Sequence, residues 1–473
     1  MRRKKWSCLA LLAAVMLASG CSNNNNESVA VNRGGSETSA TESASTSQTN
    51  QLKGKINIAI QYQPLIKPLQ EEIKKYKQAQ PGAEIELVPF GRENYYATMT
   101  TQLIGGSAPV GISVEPEGAQ ILANHLEPIT SYMEVTNPYT KQKWRDDYNP
   151  LAYEITKAGT KDVWMIGIMG AVNTGLWVNE DLLNQLHATV PKSWSEFIDV
   201  QKKARDAGFI PFAEQYNENW RGDWSNWTLN YMFMKDELLK LDTIVVDGRV
   251  SQEEMARGVQ KKLIDLKSDK VKDMFRTWKE WTDIAWPKNF STKWGNSEAF
   301  LAGKALFYWG YSGETEPFYT KTKDKFKLGH IQVPNIMNPS DPSDLSNVAT
   351  GWAMNKAATQ QQKAILVDFM QYLSQPDVHK RIVESVGMLP VVKGVAGSDD
   401  LLMKEWASEA RFNVSAIQPM VLDNEYSTKF LNESQSYLTG KETLDEFVSN
   451  YEKIFIDATN RLITEKKWDI SKW

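Results

Sequence analysis

From Lys55 to Ile60 the chain reads Lys-Ile-Asn-Ile-Ala-Ile, apolar at every second position, which is the period of a strand with one buried face. Leu65, Leu69, Ile73 and Tyr76 then recur at helical spacing as far as Gln80, where Pro81-Gly82 stops the run. The alternation returns at Glu84 to Val88, and a second helical stretch, Tyr95 to Ile104, ends at Gly105-Gly106. Strand, helix, strand, helix in this order implies parallel strands whose connecting helices cover the sheet. An α/β lobe is therefore expected at the start of the folded region.

The same alternation of periods continues downstream. Val163 to Ile168, Thr174 to Val178, Ala305 to Tyr308 and Lys327 to Val333 read as strands. Helices are expected over Asp181 to Leu186, Trp220 to Met234, Met274 to Trp286, Ser297 to Leu301, Ala364 to Leu373, Val378 to Val386 and Leu444 to Leu462. Ser193 with Glu196 three residues on has the form of a capping box and opens one more. A chain of 473 residues exceeds what a single hydrophobic core usually serves, so two lobes are expected.

Ahead of Lys53 the pattern changes. Arg2, Arg3, Lys4 and Lys5 precede an apolar run from Cys8 to Leu17 and small residues up to Gly20. Residues 1–20 thus have the layout of a secretory signal, with an apolar run short of the roughly 20 residues a membrane span needs. Leu17-Ala18-Ser19-Gly20-Cys21 resembles the lipobox of bacterial lipoproteins, with Ala18 where leucine is usual. That resemblance implies a lipid on Cys21 and attachment to the membrane through it. An ordinary signal that happens to end near a cysteine is the other reading. The chain has two cysteines, and Cys8 lies inside the signal, so Cys21 has no intramolecular disulfide partner. Residues 21–52, with Asn23 to Asn26 and a Ser/Thr/Gly-rich stretch, cannot bury enough surface to offset their ordering entropy and read as a flexible tether.

Charge narrows the partners. The formal charge is -4, and removing the four basic residues of the signal, which holds no acid, takes it to about -8. Nucleic acid is disfavoured as a partner by that sign.

Several segments, in order, resemble the sugar-specific extracellular solute-binding proteins of ABC transporters, the maltose-binding-protein type. They are Thr101-Gln102-Leu103-Ile104-Gly105-Gly106-Ser107-Ala108-Pro109, Gly175-Leu176-Trp177-Val178-Asn179-Glu180-Asp181-Leu182-Leu183 and Pro191-Lys192-Ser193-Trp194-Ser195-Glu196-Phe197. Further on come Phe300-Leu301-Ala302-Gly303-Lys304-Ala305-Leu306, Thr350-Gly351-Trp352-Ala353, and Phe369-Met370-Gln371-Tyr372-Leu373-Ser374-Gln375-Pro376 leading to Gly387-Met388-Leu389-Pro390. Val110-Gly111 after Pro109 departs from the family's acidic residue at that turn, and Glu115 offers a carboxylate a few residues on.

The resemblance implies a two-lobed, periplasmic-binding-protein-like α/β fold with an interlobe ligand cleft and multiple hinge crossings. Crossings are expected near 167–172, 331–337 and 387–393. Lobe one then takes residues 53–168 and 335–388, and lobe two 169–334 and 389–473. A carbohydrate ligand, ABC transporter permease subunits as partners, a monomer without cofactor, and a place on the extracellular face of the cell membrane are implied as well.

A sugar offers hydroxyl edges and apolar C–H faces, so its pocket needs aromatic platforms with amide, carboxylate or guanidinium groups at the rim. The chain carries 17 tryptophans. Trp220, Trp224 and Trp227, interleaved with Asn219, Arg221, Asp223 and Asn226, share one helical face if the helix begins that early, which is equally the signature of a core stripe. Trp278 and Trp281 read as core. Trp309 and Tyr311 sit at a strand end and Trp352 in a short loop of the other lobe, so an aromatic from each lobe is expected to close on the sugar like two plates. Gln61, Gln63, Arg92, Glu115, Asn173, Asp423 and Tyr426 are the polar candidates.

Enzyme signatures are missing. Gly440-Lys441-Glu442 and Gly303-Lys304-Ala305 lack the Ser or Thr of a phosphate-binding loop, and the four histidines are scattered without metal-ligand spacing. A pair of glycosidase carboxylates stays open among 58 acids. So does a sensing role, in which the bound solute signals to a membrane kinase instead of feeding an importer.

Overall fold

The computed structural model describes residues 51–473 except 92–94, 155–160, 174, 218–222, 245–249, 311, 341–344 and 396–421. The described strands are β1 (Gly54–Ile60), β2 (Ala83–Pro89), β3 (Gly111–Val114), β4 (Leu126–Glu127), β5 (Met165–Asn173), β6 (Gly175–Asn179), β7 (Ile210–Phe212), β8 (Ala305–Gly310), β9 (Leu328–Gln332) and β10 (Leu345–Asn355). They form two sheets.

The first sheet runs β2-β1-β3-β10-β4, with β5 also paired to β10. β1 is parallel to β2 and β3, as the strand–helix–strand order predicts, whereas β10 is antiparallel to β3, β4 and β5. The helix Ile66–Ala79 joins β1 to β2, and Tyr95–Ile104 follows β2. One face of this sheet packs Ile56, Ile58, Ile60 and Trp352 against Leu69, Tyr76, Ile365, Leu366 and Phe369. The other face packs Ala59, Ile112 and Ala353 against Tyr95, Met99 and Leu103.

The second sheet runs β7-β8-β6-β9. Its larger core gathers Leu176, Val178, Phe307 and Trp309 with the helices Trp194–Asp206, Asp223–Leu239, Asp269–Ala285, Asn424–Leu438 and Leu444–Lys466. Trp278 and Trp281 are fully buried there, and their indole N–H groups donate to Ser225 at 3.0 Å and Gln201 at 3.1 Å. Several helix starts carry side-chain caps. Ser251, Thr359 and Thr443 complete reciprocal capping boxes. Ser193 caps its helix by accepting from Glu196 N–H, but the Glu196 carboxylate turns to Lys192 N–H at 2.7 Å, so that box is not closed on Ser193.

Two differences concern where the chain leaves the first lobe. β5 stays in the first sheet up to Asn173, which pairs with Leu345, so a single residue separates it from β6 in the second. Near the third expected crossing, Gly170 and Leu389 exchange backbone hydrogen bonds of 2.8 and 2.9 Å. Val391 and Val392 still belong to the first core, whereas Leu422 belongs to the second.

Candidate functional site at the carboxyl ends of the two sheets

β1, β2 and β3 are parallel, and β5 shares the direction of β3 because both oppose β10. Their carboxyl ends therefore lie together, and the last residue of β5 is one residue from the second sheet. In that sheet Gly175, at the start of β6, pairs with Gly310 at the end of β8 and with Gln332 at the end of β9, while β7 runs parallel to β8. Both sheets thus turn carboxyl ends toward the crossings, where open α/β sheets bind their ligands.

On the first lobe this edge carries Gln61, buried directly after β1, and Gln63, exposed at the start of a short 3₁₀ turn. Glu115 follows β3, half-buried, and its backbone N–H donates to the Tyr96 phenol oxygen at 3.2 Å. A Cβ on Gly118 would stand 2.1 Å from the Tyr96 ring, so the missing side chain is what lets that ring lie against the helix Pro116–Leu122. Tyr95 donates to Ser113 O at 2.7 Å, and the Ser113 and Thr350 hydroxyls are 3.1 Å apart. This polar edge is held from behind by buried hydroxyls. Asn173 closes β5, so its backbone is at the expected place.

On the second lobe Glu214, just past β7, is buried and accepts from the Trp309 indole N–H and from Gln215 N–H, the latter at 2.9 Å. Trp309 meets Trp224 edge to face, ring centres 6.0 Å apart at 88°. Tyr216 donates its hydroxyl to Asp223 Oδ1 at 3.1 Å and shares a 2.8 Å bond with Ser434. Burial pushes the Asp223 carboxyl up to about 8, against the opposing pull of the Tyr216 hydroxyl.

Several expected ligand contacts have other employment. Trp309, 1% exposed, is a core ring among Phe212, Trp224 and Trp281. Trp352, 0% exposed, lies within β10, not a loop, and stacks on Phe369 at 5.9 Å. The pair of plates imagined from these two rings is not what the structure presents, because each side chain points into its own lobe's core. Asp423 caps the helix Asn424–Leu438 through Tyr426 N–H at 2.6 Å and pairs with Arg461 at 2.9 Å. Tyr426 is buried and stacked on Phe430. Trp224 is buried as well, at the edge of the same aromatic cluster. Arg92, Trp220, Tyr311 and Cys21 lie outside the described residues. The sequence reading missed Glu214 and Tyr216. Their only signal was position, directly after a three-residue strand too short to recognise.

Beside the second crossing a cavity of about 250 Å³ is lined by Val190, Pro191, Lys192, His330, Gln332 and Asn335 among others. Burial lowers the His330 imidazole to about 3, so it is neutral there. Among the described residues no three His, Cys, Asp or Glu side chains gather closely enough to hold a metal ion, and no helix is long and apolar enough to cross a membrane.

Two α/β sheets joined by more than one crossing, with the carboxyl ends of both turned toward the crossings, define a two-lobed binding protein. Residues 71–412 match the family model of the bacterial extracellular solute-binding proteins, and the chain belongs to that family. It is a binding protein rather than an enzyme.

Among solved structures it is similar to a chitin oligosaccharide binding protein, with 18% identity over 86% of this chain and 99% of that one and a TM-score of 0.68. The GacH receptor of Streptomyces glaucescens, solved unliganded and with acarbose, is 15% identical over 86% of this chain and 99% of that one, TM-score 0.66. RafE in complex with raffinose is 16% identical over 86% of this chain and all of that one, TM-score 0.63. No match was found among curated proteins.

Proposed function

We propose that this protein captures a carbohydrate, an oligosaccharide in particular, in the crevice between its lobes and delivers it to an ABC importer. The observation that carries this reading is the near-complete overlap with structures of proteins for chitin oligosaccharide, acarbose and raffinose. Polar groups near the strand ends of both lobes, Gln61 and Glu115 in one and Asp223 beyond β7 in the other, suit a ligand rich in hydroxyls. Closure follows from contact with both lobes and can be no stronger than the ligand's differential affinity for the closed form.

Residues 1–20 act as the export signal, Cys21 carries the lipid, and residues 21–52 tether a monomer to the outer face of the cell membrane. The sequence features at Cys21 support this part of the reading.

The test is a thermal-shift and tryptophan-fluorescence panel of raffinose, maltotriose, chitotriose and xylotriose beside amino acids and short peptides. A sugar present at 100 times its Kd raises stability by about 2.7 kcal/mol and shifts the melting curve accordingly. Response to amino acids or peptides alone overturns the carbohydrate assignment.

A further inference from the structure

Asp223 is 8% exposed and opens the helix Asp223–Leu239, beyond the loop that leaves the carboxyl end of β7. A buried carboxyl normally has both oxygens in hydrogen bonds, because leaving one unsatisfied costs desolvation energy. Here Tyr216 satisfies Oδ1, while Oδ2 has no partner among the described residues and is not wholly buried, so it is open to a ligand.

The surroundings hold this carboxyl firmly. Tyr216 is fixed by Ser434, by Gln435 Nε2 donating to its carbonyl at 2.6 Å, and by its own N–H to Phe290 O at 2.6 Å. Trp224, the next residue, is backed edge-on by Trp309, whose indole is tied to Glu214. An immobilised acid with one unused oxygen, at the strand end where α/β sheets take ligands, is a preorganised contact.

We propose that Asp223 is a ligand-contacting residue of the second lobe, exchanging a hydrogen bond through Oδ2 with a hydroxyl of the bound carbohydrate. The assignment rests on the carbohydrate reading above. Among the described residues the ionisable groups facing Asp223 are two phenols, Tyr216 from the loop after β7 and Tyr426 from the helix Asn424–Leu438. Both stay neutral, since burial pushes them far above the ordinary tyrosine value.

Near pH 7 the carboxyl is itself neutral, and as an acid it both donates to and accepts from sugar hydroxyls. An uncharged sugar closing over it removes water without supplying a counter-charge, so the ionised form binds worse. The apparent Kd of the wild type rises about tenfold between pH 7 and pH 9.

The experiment is titration calorimetry of wild type, Asp223→Asn and Asp223→Ala with raffinose, maltotriose, chitotriose and xylotriose at pH 6, 7, 8 and 9, alongside unfolding curves without sugar. The amide mimics the neutral acid, so D223N binds within about threefold of wild type at pH 7 and loses the rise toward pH 9, whereas D223A weakens binding about tenfold at pH 7. A merely structural role moves the unfolding curves and leaves the pH profile of Kd as in wild type, and that result overturns the assignment. If D223A does not fold, the profile of D223N decides alone. Wild type that binds none of the four sugars refutes the carbohydrate reading and this contact with it, an outcome distinct from wild-type binding with an unaltered D223N profile.

Discussion

Arg381 grips Glu72 at two points, Nε and Nη2 donating to the two carboxylate oxygens at 2.9 and 3.0 Å, and so fastens the helix Pro376–Ser385 to Ile66–Ala79. Lys75 and the Tyr372 hydroxyl add bonds of 2.7 and 3.1 Å to the same buried carboxylate. Burial alone raises its pKa, but these donors outweigh the burial and hold it at about 2, below its reference of 4.5. A depressed carboxylate stabilises the fold above its unfolded pKa, and this contribution, about 3 kcal/mol, drains away as pH falls from 4.5 toward 2. Arg381→Gln is expected to cost about 2 kcal/mol in urea unfolding at pH 7 and much less at pH 2.5. An equal cost at both pH values defeats this account.

Gly351→Ala tests the packing of β10. An added Cβ would sit 2.2 Å from the Ile166 carbonyl oxygen of β5, a backbone atom that cannot swing away. Thr350/Gly351 is also where the β10–β5 register shifts. The variant is expected to lose about 3 kcal/mol in chemical denaturation. Wild-type stability in that assay contradicts the close approach.

Trp352→Phe separates core from ligand contact. The Trp352 indole N–H has no partner among the described residues, so phenylalanine sacrifices volume but no hydrogen bond. Stability falls by about 2 kcal/mol while sugar affinity, by calorimetry, stays within twofold. A tenfold loss of affinity at unchanged stability restores Trp352 as a platform.

Asp423→Ala removes a helix cap and the Arg461 pair together, and is expected to lower stability by about 1 to 2 kcal/mol with sugar affinity intact. Calorimetry beside thermal unfolding checks both halves. Weaker sugar binding at unchanged stability makes Asp423 a ligand contact after all.

Cys21→Ser is expected to release the protein into the medium and abolish labelling by radioactive palmitate. Labelled, membrane-retained C21S protein rules out the thioether anchor.

How legible the fold was in the sequence depended on the kind of signal. Period and punctuation placed β1, β2 and the helix Tyr95–Ile104 to within a residue or two, because alternation, Pro81-Gly82 and Gly105-Gly106 are local cues. β10 escaped because Leu-Ser-Asn-Val-Ala-Thr-Gly-Trp-Ala-Met-Asn has little alternation and an internal glycine. Its strand state is imposed by β3, β4 and β5 on either side. The helix Asn424–Leu438 escaped too, although Tyr426, Phe430, Ser434 and Tyr437 mark one buried face.

The site was less legible for a related reason. Aromatic residues announce themselves in a sequence, but Trp309 and Trp352 went to the cores, since a large ring gains most where it is wholly removed from water. The depth of Asp223, by contrast, exists only after the loop past β7 and the helix Asn424–Leu438 have packed together around it.

A lone residue, Thr174, links β5 in one sheet to β6 in the other, and a residue reaches at most about 3.6 Å. With so short a leash the halves cannot drift apart, and the proposed closure becomes a swing, like covers on a book's spine. A fluorophore pair set across the open edge, far from that spine, therefore reports the greatest travel per bound molecule, and lengthening the leash by a few glycines should blunt the signal while sparing each half's own stability.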